Sequence, residues 1–352
     1  MKIGKKKIDI NSPTYFIADI AANHDGDIKR AKELIFLAKE SGADCAKFQH
    51  FLAPKIVSNK GFSSPDMNLS HQSKWKDSVF NIYEKYHTPR SWTKELITTC
   101  KKANIEFMTT PYDVEAVNMF KNLVNCYKIG SGDITYKEIL LAIKNTNKPI
   151  ILATGAANLD DVKRAMNIIY SKKNEVCLMQ CNTNYTNSEE NFKFQNLNVL
   201  STYKKIWPKV ILGLSDHTPG HSCVLGAIAM GAKVIEKHFT DDNNRVGPDH
   251  DFAMNPDTWT EMILRARELE LSLGNAVKKV EKNEIETVII QRRSIRLNRD
   301  LQKNSIISEN DLSSLRPCPS GSINPMEIEK VIGKKLKTNK KEGEALYWKD
   351  LN

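Results

Sequence analysis

Two histidines, His217 and His238, stand at the ends of apolar runs, Val210 to Asp216 and Lys233 to Phe239, that read as consecutive β-strands. If those strands pair, the imidazoles lie roughly 4.8 Å apart in the pairing direction. They can then share one metal ion and leave its other positions open to water or substrate, as catalytic sites require. The alternative for each histidine is a hydrogen bond to a backbone carbonyl at a strand end. Glu236 shares a face with His238 by the period of two, and Asp19 in an earlier run can face the same mouth. Each carboxylate is a further ligand, a base for water, an orienting acceptor or half of a structural salt bridge.

Lys47 and Lys128 sit inside otherwise apolar runs. Burying an ammonium is costly without an anion beside it. A phosphate or carboxylate of a ligand fits, helped by hydroxyls of Thr110, Ser131, Thr154 and Ser215. An ion pair with a carboxylate of the same scaffold and a Schiff-base role are the other uses. The segments Ile129-Gly130-Ser131-Gly132-Asp133 and Thr154-Gly155 follow strands, where backbone N–H groups can approach an anion. Gly247-Pro248-Asp249-His250 is a turn first and a substrate clamp second.

What must hold these residues is a series of eight short β-type runs. They are Phe16 to Ala21, Cys45 to Gln49, Glu106 to Thr110, Cys126 to Ser131, Pro149 to Thr154, Glu175 to Cys181, Val210 to Asp216 and Lys233 to Phe239. Between most of them apolar residues fall at helical spacing, as in Ile28 to Ser41, Thr93 to Ala103, Asp113 to Asn122, Leu159 to Tyr170 and Ser222 to Gly231. Eight alternating units over about 250 residues predict a (β/α)8 TIM barrel, with a doubly wound sheet as the other solution. Nearly every run ends in polar groups, which a barrel would bring to one mouth. The stretch from Phe51 to Arg90 has little periodicity and reads as a loop folded over that mouth.

A chain of 352 residues, 40% hydrophobic and 27% charged, suits a barrel with an appendage. The texture changes after Gly274. The expected parts are a barrel over 1–274, a polar helical linker over 275–290 and a small domain over 291–352, where Ser294 to Asn298 and Ala345 to Trp348 look strand-like and Ser308 looks like a helix cap. A domain that small should lean on the barrel or on a neighbouring subunit. The apolar stretch Val224 to Ala232 is half a membrane span, and Met1 to Ile10 has no apolar signal core. Seven cysteines without a CxxC pair, six of them in apolar stretches, point to a reducing cytoplasm. The net charge of +10 divides evenly between the barrel and the remainder and forms no basic helix, which argues against nucleic acid.

The series NHDG (Asn23 to Gly26), KFQ (Lys47 to Gln49), TTPY (Thr109 to Tyr112), YKIGSGD (Tyr127 to Asp133), ATG (Ala153 to Gly155), GLSDHT (Gly213 to Thr218), IEKHFT (Ile235 to Thr240) and GPDH (Gly247 to His250) resembles the sialic acid synthase family. RRSI around Arg293 and LRPCPSG (Leu315 to Gly321) resemble its C-terminal antifreeze-like SAF domain. The resemblance implies condensation of phosphoenolpyruvate with an open-chain N-acylated amino sugar, typically N-acetylmannosamine, giving a nine-carbon 2-keto-3-deoxy acid and phosphate. It implies Mn2+ or Mg2+ on His217 and His238. It places phosphoenolpyruvate against Lys47, Thr110, Lys128, Ser131, Thr154, Thr183 and Ser215, and the sugar against Gln49, Asp133, Tyr185, Asp249 and Arg316. Arg316 would come from the partner in a domain-swapped homodimer. The family usually carries Glu where this chain has Asp19 and Asp133, and a CTxxYP segment where it has Cys181 to Thr186. The shorter carboxylates point to an acceptor other than plain N-acetylmannosamine, as in legionaminic or pseudaminic acid synthesis. A lysine Schiff-base aldolase and a non-catalytic sugar-acid binding module are the competing readings.

Overall fold

The computed structural model describes residues 1–63, 72, 75–171 and 173–352. It divides into two compact units, Met1–Gly274 and Asn275–Asn352. The first begins with a small antiparallel hairpin, β1 (Lys2–Ile3) and β2 (Lys6–Lys7). Eight strands follow: β3 (Tyr15–Asp19), β4 (Cys45–His50), β5 (Glu106–Pro111), β6 (Tyr127–Ile129), β7 (Ile150–Ala153), β8 (Val176–Cys181), β9 (Ile211–Asp216) and β10 (Ala232–His238). All pair in parallel and in chain order, and β10 returns to β3 to close the barrel. The fold is a TIM barrel, and a doubly wound sheet is excluded by that closure.

Helices α1 (Ile28–Glu40), α5 (Thr93–Ala103), α6 (Val114–Phe120), α7 (Lys137–Lys144), α8 (Leu159–Ile169), α9 (Val199–Ile206), α10 (Ser222–Ala229) and α11 (Pro256–Leu273) connect or follow the strands. Short side chains start several of them. Asp27 caps α1, Asp113 caps α6, Asn158 and Asp161 form a reciprocal capping box on α8, and Asn255 caps α11. The stretch after β4, expected to be irregular, instead carries α2 (Ala53–Ile56), α3 (Asn59–Phe62) and α4 (Val79–Tyr86). Of these, α2 and α3 are too short to print a periodic signature, since a four-residue helix spans little more than one turn. The expected loop also includes residues 64–71 and 73–74, which lie outside the described residues.

Strand alternation builds two apolar layers. Outward residues such as Phe16, Phe48, Phe107, Leu152 and Ile235 pack beneath the helices against Leu34, Leu96, Phe120 and Trp259. Inward residues at the N-terminal end, including Ile17, Cys45, Met108, Cys126, Ile151, Cys177 and Val234, enclose Ile3 and Ile8 of the hairpin. The hairpin thus closes the floor of the barrel. Strand pairs of two residues carry no alternation to read, so this element was not legible in sequence.

In the second unit, α12 (Ile285–Gln291) precedes the antiparallel pair β11 (Ser294–Leu297) and β12 (Leu312–Leu315), with α13 (Ile328–Val331) beyond. The helix begins ten residues later than the expected start at residue 275, and its exposed face is apolar at Ile285, Ile289 and Ile290 rather than polar. Ser308 caps a 3-10 turn, Glu309–Asp311, reciprocally with Asp311. Ala345 to Trp348 is not a strand: Ala345 and Tyr347 make single bridges to Arg296 and Ser322, and Trp348 opens another 3-10 turn. Ile295, Leu297, Ile307, Leu336 and Leu346 form this unit's own core.

Candidate active site

Above the apolar floor the inward positions turn polar. On β10 the alternation runs Val234, Glu236, His238 inward and Ile235, Lys237 outward. The same rule divides every strand end, so the polar groups expected to converge split into two sets. Asp19, Lys47, Gln49, Thr110, Lys128, Ser215, Glu236 and His238 face a common cavity of about 370 Å³. Lys237, Asp216, Gln180, His50 and Thr109 face outward under the helices, where Lys237 pairs with Asp216, His50 with Thr109, and Gln180 donates to the Gln195 carbonyl. Lys237 Nζ lies 2.6 Å from Asp216 Oδ2, and His50 Nδ1 lies 2.7 Å from Thr109 Oγ1. Burial pushes the His50 imidazole down to about 3, the mark of a neutral core histidine.

Both strand lysines are buried and paired with barrel carboxylates. Lys47 Nζ donates to Asp19 Oδ2 at 2.6 Å and to Thr110 Oγ1 at 3.1 Å, and stands 3.8 Å from Glu236 Oε2. Lys128 Nζ donates to Glu236 Oε1 at 2.5 Å, an oxygen that also accepts from Ser215 Oγ at 3.2 Å. The ion-pair use of these lysines is therefore realised, and the four charges cancel within the chamber. Burial alone would push the Lys47 ammonium down, yet Asp19 and Glu236 together outweigh it and hold its pKa above the ordinary value. Burial likewise raises the two carboxyls, and the lysines bring both below the ordinary range. Glu236 Oε2 keeps no hydrogen-bond partner among the described residues.

At the rim the two histidine rings sit 5.4 Å apart, centroid to centroid. His217 Nδ1 lies 3.0 Å from the carbonyl of Asn182, which makes it the donor and turns Nε2 outward as the lone-pair nitrogen of the neutral ring. Burial pushes His217 down, but hydrogen bonds with Cys181 and that carbonyl lift it above its ordinary value. Burial holds His238 below its ordinary value, and its buried Nδ1 lacks a partner within hydrogen-bond distance among the described residues, with Asp249 Oδ2 at 3.7 Å. Tyr185 packs edge-on against His217 at 4.7 Å, and Phe252 against His238 at 4.9 Å. The donor set suits a divalent cation held by two imidazoles with positions to spare. No group of three His, Cys, Asp or Glu side chains among the described residues is disposed to hold one unaided.

Ser131, Asp133, Thr183 and Tyr185 also line the cavity. Ser131 Oγ accepts from Gly155 N at 3.0 Å, and a Cβ on Gly155 would run into Thr183 Oγ1, so the backbone approaches closely there. Burial lifts the Asp133 carboxyl to about 6. Thr154 is turned away: its hydroxyl donates to the Met179 carbonyl at 2.8 Å and accepts from Tyr203 at 2.9 Å. Arg316 lies exposed in the second unit, before a cis Pro317. The stretch expected to fold over the mouth contributes Phe51, Ile56, Ile82, Tyr83 and Tyr86 as the apolar side of an annex of about 120 Å³ that shares walls with the cavity, while Gln49, Gln72, His238 and Asp249 make its polar side. Scattered aromatics in an aperiodic stretch were the only signal for it.

Residues 34–278 match the family model described as NeuB, and residues 292–352 match the SAF domain. The chain belongs to the NeuB family. NeuB proteins are the nonulosonic acid synthases, and this chain is an enzyme of that class. It is 36% identical to the N,N'-diacetyllegionaminic acid synthase of Campylobacter jejuni over 95% of this chain and 98% of the relative. It is 30% identical to the pseudaminic acid synthase of Helicobacter pylori over 92% and 93%. Among solved structures, the sialic acid synthetase of Leptospira borgpetersenii superposes with a TM-score of 0.71 at 27% identity, covering 82% of this chain and 94% of that one.

Proposed function

We propose that this NeuB synthase condenses phosphoenolpyruvate with an open-chain N-acylated amino sugar, using Mn2+ or Mg2+, to give a nine-carbon 2-keto-3-deoxy acid and phosphate. The observation that carries the reading is the pair of buried imidazoles, His217 and His238, set over a chamber that holds Lys47 and Lys128. A bound divalent ion supplies Lewis-acid polarisation of the sugar aldehyde. Lys47 and Lys128 hold the phosphate and carboxylate of phosphoenolpyruvate, trading part of their bonds to Asp19 and Glu236 for the ligand's oxygens. C3 of the enol bonds to the aldehyde carbon, whose oxygen takes up a proton. Water then adds to C2 and loses a proton, for which the free Oε2 of Glu236 is the available acceptor. Cleavage of the bond from C2 to the phosphate oxygen releases phosphate, which takes the remaining hydroxyl proton, and leaves the keto group. Asp133 and Asp249 hold hydroxyls of the acceptor. Arg316 acts from the partner of a domain-swapped dimer.

Within this reaction the annex favours an acceptor with apolar substituents, a deoxy carbon or a second acylamido group, over N-acetylmannosamine. Its apolar side offers aromatic rings and two isoleucines, Ile56 and Ile82, to whatever projects there, and a hydroxyl set against that side would lose its water. The 36% identity to a protein named for a diacetylated acid supports the same choice. The raised pKa of Lys47 disfavours this lysine as a Schiff-base nucleophile, which needs a neutral amine.

The test is incubation with phosphoenolpyruvate, Mn2+ and a panel of N-acyl hexosamines that includes deoxy and diacylated members. Phosphate release should require the matching sugar, and mass spectrometry should find a nine-carbon acid. Silence across the panel, or a borohydride-trapped lysine adduct, overturns the reading.

A further inference from the structure

The loop after β3 and the loop after β10 are fastened together by groups that the reaction above leaves unused. Asp25 adopts left-handed backbone, φ 52°, just before Gly26 at φ 73°. Aspartate is one of the few non-glycine residues that adopt that region readily, so the turn suits this residue type. Its Oδ1 lies 2.9 Å from His250 Nε2, and its Oδ2 lies 3.2 Å from Arg30 Nε. His250 is fully buried, and its other nitrogen lies 2.7 Å from Thr240 Oγ1. Since a carboxylate only accepts, Nε2 is the donor to Asp25, and the threonine hydroxyl holds the ring's other nitrogen. The turn wraps so tightly that a Cβ on Gly247 would come within 2.6 Å of His250 Cδ2. The imidazole is thus gripped at both nitrogens and along one edge.

The residue next to this grip is Asp249. Its Oδ2 accepts from the Ala22 amide at 3.2 Å and stands 3.7 Å from His238 Nδ1, at the border between the cavity and the annex. Two further bonds cross the same junction: Asn23 Nδ2 donates to the Phe239 carbonyl at 3.0 Å, and Arg30 binds Asp241 while its Nε donates to the Asn23 carbonyl at 2.7 Å. We infer that Asp25 and His250 are positioning residues for the acceptor: together they fix the 247–250 turn so that Asp249 is presented beside His238. The inference rests on the functional reading given above. It predicts that loosening the pair is felt by the sugar and not by phosphoenolpyruvate, because Lys47 and Lys128 stand on strands that the pair does not touch.

The experiment uses the full-length enzyme with phosphoenolpyruvate, Mn2+ and the panel sugar that wild type turns over, in Asp25→Ala, Asp25→Asn, His250→Gln and Asp249→Asn variants and the His250→Gln/Asp249→Asn double variant. Asp25→Ala and His250→Gln should each raise the acceptor KM about tenfold, the scale of one hydrogen bond to a charged group, with the phosphoenolpyruvate KM within about twofold. Asp25→Asn keeps an accepting oxygen and tolerates the left-handed backbone, so it should restore most of the acceptor affinity. In the Asp249→Asn background His250→Gln should add less than about twofold, since the pair acts through Asp249. Equal increases in both KM values, or full multiplicativity with Asp249→Asn, overturn the inference. If wild type turns over no sugar, the functional reading fails and hydrogen exchange decides the latch. The Ala22 amide should then exchange about tenfold faster in His250→Gln than in wild type, and unchanged exchange overturns it.

Discussion

Lys128 and Glu236 join diametrically opposed strands of the barrel, β6 and β10, through a 2.5 Å bond across the lumen, and Lys47 approaches the same carboxylate from β4. The pair is buried on both sides, so removing one member strands a charge. Lys128→Met should cost about 3–5 kcal/mol in urea unfolding, and pairing it with Glu236→Leu should recover most of that loss. Neither protein should release phosphate. A single variant as stable as wild type would show that the ligand, and not Glu236, is the lysine's working partner.

His217→Ala and His238→Ala should each abolish Mn2+ binding, measured by electron paramagnetic resonance, and lower turnover by about a thousandfold or more. The melting temperature should stay within a few degrees, because both rings lie at the rim and outside the two apolar layers. Retained Mn2+ affinity in either variant removes that histidine from the metal site.

Asp133 makes the pH dependence signed. Burial lifts its carboxyl from 3.8 to about 6, so between those values the folded chain holds a proton that the unfolded chain has lost. Stability therefore falls as pH rises through this window, and the cost is complete above the folded value. Asp133→Asn should be more stable than wild type by about 2 kcal/mol at neutral pH, with no advantage in acid. The acceptor kcat/KM of wild type should rise with pH through the same window, and the variant should lack that limb.

The annex predicts a specificity change. Ile82→Ser should lower kcat/KM for a deoxy or diacylated acceptor by about 10-fold or more and leave N-acetylmannosamine nearly unaffected. An equal fall for both sugars would mean that no substituent reaches Ile82.

The hairpin predicts a stability change without a catalytic one. Ile8→Ala empties a fully enclosed position in the barrel floor and should cost about 2–5 kcal/mol in denaturant, with kcat unchanged at moderate temperature. Loss of activity in a folded variant would make the floor part of the site.

The strands were legible because a parallel barrel strand is apolar on both faces until its C-terminal end, where a Lys or Glu inside the run stands out, as at Lys47, Lys128 and Glu236. The direction of each side chain was less so. Lys237 and Glu236 look alike in sequence, and only the register of β10 separates the buried structural partner of Asp216 from the chamber carboxylate. Thr154 was misplaced for the same reason, since its hydroxyl serves Tyr203 and not the cavity. The Asp25–His250 latch unites segments more than 200 residues apart, and although NHDG and GPDH stand out as motifs, nothing local to either one marks their meeting.

Among the described residues Ile3 and Ile8 shut the N-terminal end of the lumen, so a ligand reaches the chamber from the end where the strands finish. On the functional reading proposed above, phosphoenolpyruvate at Lys47 and Lys128 and an acceptor at His238 and Asp249 reach the chamber from the same end. Two guests that share one approach bind in sequence when the first to arrive obstructs the second, and a sugar bound early then becomes a stopper. Excess acceptor should therefore slow the enzyme by blocking the descent of phosphoenolpyruvate, an inhibition that saturating phosphoenolpyruvate relieves.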